Sequence, residues 1–105
     1  MRTLKAFTLL SAVAANTTGT LAAMEGTIGE RFTAVITAAS VTTGATVNIQ
    51  IYCPLRNAWT TVDTATYAAN GDTVIQWPGP IFGLRATVTN YTDGTFTVEA
   101  HVLTV

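Results

Sequence analysis

Ionised side chains are scarce in this sequence. Five basic and six acidic residues make up only 10% of its 105 positions, where ordinary soluble domains carry about 25%. The signs nearly cancel, leaving a formal net charge of -1 at pH 7. That argues against a phosphate-seeking surface, and so against direct nucleic-acid binding. A lone cysteine, Cys53, excludes an internal disulfide and a cysteine-cluster metal site. A lone histidine, His101, leaves any nucleophilic triad with one candidate base. No apolar run approaches the roughly 18 residues a membrane-crossing helix needs, so no membrane partner is expected.

Threonine fills much of the space that charge leaves, at about a fifth of the chain. A chain of 11.0 kDa exposes roughly 5,600 Å² by surface scaling, or about one charge per 500 Å². Hydrophobic residues reach 49%. Threonine could supply a neutral polar coat, but the balance favours large uncharged patches that associate with neighbours.

Period-2 alternation dominates. In "RFTAVITAA" Phe32, Ala34, Ile36 and Ala38 share one face, and in "TVNIQIYC" Val47, Ile49, Ile51 and Cys53 do. Leu84, Ala86 and Val88 repeat this in "LRATVTNY", and Phe96, Val98, Ala100 and Val102 in "TFTVEAHVL". Branched threonine and valine suit a half-buried pleated surface. Weaker strands are expected at "TLLSAV", around Leu21–Met24, at "WTTVDT" and at "TVIQ". "TTGA" and "ANGD" read as turns, and "TDGT" at Asp93-Gly94 as a tight hairpin between the last two strands. "WPGP" must be a loop, because two prolines cannot donate to a ladder. No helix is convincing. The fold class is all-β: an antiparallel β-sandwich of about eight short strands, jelly-roll or another Greek key. It forms a single domain over 1–105, with 1–7 left open as an extended N-terminal arm.

The opening "MRTLKAFTLLSAVAANTTGT" can be read as a secretion signal, with Arg2 and Lys5 ahead of an apolar run and "AVA" before Ala15. Thr8 and Ser11 interrupt that run, so it is read here as the first strand.

Nothing gathers into a catalytic group. His101 and Glu99 fall on the polar face of one strand, while Cys53 has apolar parity and reads as a small buried hydrophobe. The carboxylates show no spacing that would assemble a pair or a metal site. Asp63, Asp72 and Asp93 neighbour turns, where aspartate bonds the backbone. No enzyme activity, cofactor or metal is expected. Among the aromatics, Trp59 is expected to plug the end of the core, whereas Trp77 divides evenly between core and contact surface. Arg85 is expected to reach from the polar face of its strand to a cross-strand or subunit contact.

Most of the chain resembles small β-sandwich virion proteins of tailed bacteriophages. The resemblance rests on "NAWTTV", on "WPGPIFGLRATV", on the closing "YTDGTFTV" and on the leading "TLLSAVAANTTGT". It implies a non-enzymatic structural role, foremost as a capsid decoration (cement) protein. Such a protein would be a homotrimer on the capsid surface of the virion, bound to the major capsid protein and assembled in the host cytoplasm. Candidate contact residues are Arg2, Lys5 and Phe7 in the N-terminal segment, with Pro54, Leu55, Trp77 and Arg85. Pro54 and Leu55 lie in "YCPLRN", which departs from the resemblance because a polar glycine-containing turn is expected there. A phage tail or fibre component is the near alternative. A secreted carbohydrate-binding module, needing aromatics aligned on one face, is the distant one.

Overall fold

The computed structural model describes residues 3–19, 22–23 and 29–104. Nine strands form among them: β1 Thr3–Val13, β2 Thr17–Thr18, β3 Ala22–Ala23, β4 Gly29–Ala39, β5 Ala45–Cys53, β6 Ala58–Tyr67, β7 Gly71–Trp77, β8 Gly83–Thr89 and β9 Thr95–Thr104. The first sheet has the order β1-β9-β4-β7; the second runs β2-β8-β5-β6, with β3 also on β8. Every pairing between these strands is antiparallel. Counting β2 and β3 as two pieces of one edge strand leaves four strands per sheet. The chain then changes sheet at every connection except β5–β6. That path is a jelly roll, which settles the choice the sequence left open.

The core follows the alternation. Phe32, Ala34, Ile36, Val47, Ile49, Leu84, Ala86, Val88, Phe96, Val98, Ala100 and Val102 are all buried between the sheets. Their pleat partners face out, as a two-layer sandwich requires. Residues 3–7, open in sequence as an arm, pair with β9 as the start of β1. In a regular strand Leu9 and Leu10 could not both face inward. A bulge between Thr8 and Leu10 makes Leu9 the extra residue, and the two leucines are 1% and 2% exposed. The apolar opening run therefore supplies core.

The turn signals are in the right places and join the strands that flank them, but none of the three closes a hairpin within one sheet. "TDGT" is not a hairpin: it carries the chain from β8 in one sheet to β9 in the other, and "TTGA" and "ANGD" also cross between sheets. Among the described residues the one tight hairpin joins β5 to β6 through "PLRN", without a glycine. Asn57 there takes a φ of 50°, the left-handed conformation asparagine tolerates best among non-glycine residues. Arg56 N–H donates to Cys53 O at 3.1 Å and Asn57 N–H to Pro54 O at 3.2 Å.

Acidic and amide side chains tie the crossing turns together at the opposite end. Asn16 Oδ1 accepts Tyr91 N–H at 2.9 Å, and Asn70 Oδ1 accepts Val41 N–H at 2.7 Å. Asp93 takes the N–H groups of Thr42, Thr43 and Gly44 at 2.8–3.2 Å. Those bonds favour the ionised carboxylate, so the Thr42 and Gly44 N–H groups hold its pKa below the ordinary aspartate range. A depressed carboxyl pKa contributes stability that is full above the unfolded value and is lost as pH falls through the folded one. The urea midpoint is therefore expected to drop below pH 3.8. In Asp93→Asn that drop should be smaller; an identical acid profile for both chains would contradict the role.

Candidate binding face

The outward-facing side chains of the second sheet form an ordered polar surface. Pleating projects Asn48, Gln50 and Tyr52 from β5, Arg85, Thr87 and Thr89 from β8, and Trp59, Thr61 and Thr64 from β6. At its centre Arg85 Nε–H donates to Gln50 Oε1 at 2.7 Å, and the Arg85 guanidinium lies 4.3 Å over the Trp59 ring. Trp59 meets Tyr52 edge-on, with ring centroids 5.6 Å apart. The Tyr52 hydroxyl donates to Asn57 Oδ1 and so reaches back to the hairpin turn. Gln50 donates to Thr61 Oγ1 at 3.1 Å. Asn48 donates to Thr87 and Thr89 at 3.2 and 3.3 Å and accepts from Thr64 at 3.0 Å. Beside this network lies a depression of about 410 Å³, walled on its far side by Asn16, Thr17 and Thr18.

The structure corrects the expectation for Trp59. It lies on the outer face, opposite Tyr52, half-buried beneath Arg85 rather than inside the core. The cause is a bulge in β6. Asp63 pairs with Ile49 and Thr61 with Gln50, so Val62 is the extra residue. Val62 packs on the core while the strand's parity flips. Strict alternation carried across that point assigns Trp59 to the wrong side.

The outer face of the first sheet mixes exposed apolar side chains with the charged Arg31, Asp72 and Glu99. Leu4 and Val74 are 61% and 62% exposed, and Val35, paired with Val74, is also exposed. A cavity of about 770 Å³ opens at one end of this face, where Leu4, Leu103, Trp77 and Pro78 meet Arg31 and His101. Leu55 and Phe82 are exposed on the loops at the same end of the sandwich.

The sequence-predicted contact residues divide between these surfaces. Trp77 packs partly on the core and partly lines the cavity. Its Nε1 is buried with no hydrogen-bond partner among the described residues, and the Gly79 backbone packs against it. Pro54 and Leu55 are exposed on the hairpin, and Arg85 belongs to the polar network. Lys5 is exposed on β1 opposite Val102, whereas Phe7, opposite Ala100, packs on the core. Arg2 lies outside the described residues. His101 is exposed on the first sheet's outer face, and Cys53 is half-buried with Sγ 3.3 Å from Thr60 Oγ1. Among the described residues, no three histidine, cysteine or carboxylate side chains cluster to hold a metal. Sequence reasoning missed Asn48, Gln50 and Tyr52, although "TVNIQIYC" sets all three on one parity.

No family model matches the sequence, and no curated protein does. The fold is shared with solved structures. The SPBc2 prophage-derived protein YomS aligns with a TM-score of 0.70 at 13% identity, covering 98% of this chain and 95% of that one. PirA aligns with a TM-score of 0.54 at 9% identity, covering 93% of this chain and 92% of that one. At such identities the likeness is one of fold.

Proposed function

We propose that this chain is a non-enzymatic structural component of a tailed-phage particle, a capsid decoration protein that binds the major capsid protein shell as a homotrimer. The observation that carries the reading is the exposure of large apolar side chains on the outer face of the first sheet, where Leu4, Val35 and Val74 meet solvent. With eleven charged residues on 5741 Å² of surface, the chain has little charge with which to keep such side chains apart from its neighbours. Two further points support it. The sequence resembles phage virion β-sandwiches, and the jelly-roll fold recurs in a prophage-derived protein.

A symmetric oligomer would bury these patches between copies. Stable contacts need about 1,600 Å² of buried surface, and repetition over a shell adds avidity. The chain's contribution would be mechanical: holding neighbouring shell subunits together without chemistry.

The test is to mix the purified chain with particles lacking it and count bound copies after sedimentation. Hundreds per particle, with raised heat resistance, are expected. A few copies would instead indicate a tail or fibre position, and a strict monomer that binds no particle would end the reading. Leu4→Glu and Val74→Glu replace exposed side chains, so each should leave folding within about 0.5 kcal/mol of the parent. Each should nevertheless abolish association, since a buried unpaired carboxylate costs several kcal/mol. Undiminished attachment of both variants would show that this face is not the contact.

A further inference from the structure

We propose that the polar face of the second sheet is a binding site for an acidic saccharide, with Arg85 receiving the carboxylate and the neighbouring amides and hydroxyls receiving sugar hydroxyls. The proposal does not depend on the particle reading, which rests on the opposite sheet.

Arg85 sets the charge of the ligand. Its guanidinium carbon lies 4.3 Å from the centre of the Trp59 ring, and its Nε–H is bonded to Gln50 Oε1 at 2.7 Å. Among the described residues no carboxylate pairs with it. The Nε–H is committed, and among the described residues the two terminal nitrogens have no hydrogen-bond acceptor. A pre-oriented planar fork of this kind matches a carboxylate, which can accept two parallel hydrogen bonds.

The surroundings set the rest of the ligand. Asn48, Gln50, Thr87 and Thr89 line the depression with neutral donors and acceptors. Their positions are fixed by bonds to one another, so little ordering entropy remains to be lost on binding. The volume of about 410 Å³ suits a small polar ligand, near the lower end of the ~300–1,000 Å³ range of such sites. Among the described residues Arg85 is the only cation lining it, too few for a polyphosphate or nucleic acid held by charge. The guanidinium already covers one face of Trp59, so a sugar ring is not read by stacking there. Recognition falls to charge and hydrogen bonds, and a neutral sugar would leave the Arg85 fork without its acceptor.

The test titrates the isotopically labelled full chain, by NMR, with a glucuronate-containing disaccharide, with cellobiose as the neutral control and with inorganic phosphate. Saturable shifts of the Asn48 and Gln50 side-chain amides are expected with the acidic sugar. Cellobiose should bind about tenfold more weakly or worse, the value of one hydrogen bond to a charged group. Arg85→Gln should lose about tenfold or more by the same reckoning. Arg85→Lys, which keeps the charge and removes the fork, should lose part of the affinity while preserving the spectrum of the fold. Equal binding of cellobiose, no shift with any sugar, or full affinity in the Arg85→Lys chain would each overturn the proposal. Phosphate competing as well as the sugar acid would reduce the site to one for an adventitious ion only.

Discussion

Gly44→Ala is expected to lose about 4 kcal/mol or more, at the top of the range for single substitutions. Gly44 has a φ of 93°, in the region that L side chains rarely enter. An added Cβ would overlap the Tyr67 carbonyl oxygen and stand 2.7 Å from its carbon. Neither side can retreat, because Tyr67 pairs with Ala45 across the β5–β6 ladder. The same residue joins two crossing turns. Its N–H donates to Asp93 Oδ1 at 2.8 Å, and its carbonyl accepts Thr92 N–H at 2.8 Å. Moving it therefore loosens the β4–β5 and β8–β9 connections together. Gly71→Ala is the control. The nearest atom to its Cβ would be 3.9 Å away, and its effect should stay within about 1 kcal/mol. Urea denaturation at neutral pH reads both, and similar midpoints for the two would refute the clash.

Phe96→Ala should cost about 3–5 kcal/mol, the range for removing a buried aromatic. Phe96 has no exposed surface. It sits between Tyr67, tilted at 5.9 Å, and Tyr91, edge-on at 6.4 Å, so three rings close the turn end of the core. Tyr67 and Tyr91 are themselves anchored, the first through Thr73 Oγ1 at 2.6 Å and the second through Gly94 O at 2.8 Å. Neither can swing in to fill the space, and the cavity stays open. Against a total of about 5–15 kcal/mol for a domain, this should lower Tm by at least about 12 °C. Phe96→Leu, which refills most of the volume, should recover more than half of the loss. A thermal melt in which alanine and leucine behave alike would mean that the core collapses freely here.

The candidate sites were legible in unequal measure. Arg85 stood out as a long cation on a polar parity, and the structure adds why it is held: Gln50 on one side and Trp59 beneath. Trp59 itself was misplaced, because a bulge leaves no mark in the residue types around Val62. The exposure of Leu4 and Val74 was also hidden. An apolar residue on a strand has the same letters whether the face it points from is packed or open.

What the sequence determined by itself is the layer each residue belongs to within an uninterrupted strand. A pleat sends neighbours to opposite sides, so four apolar rows named the core directly. It also determined where the chain reverses, because Gly44, Asn70 and Asp93-Gly94 supply turn chemistry locally. Only the tertiary structure decided which sheet the chain enters after each turn, and so that the fold is a jelly roll. A turn constrains a few dihedral angles, whereas the choice of sheet is made by contacts between residues far apart in sequence. The packing of Phe96 against Tyr67 is one such contact, and the grip of Asp93 on residues 42–44 is another.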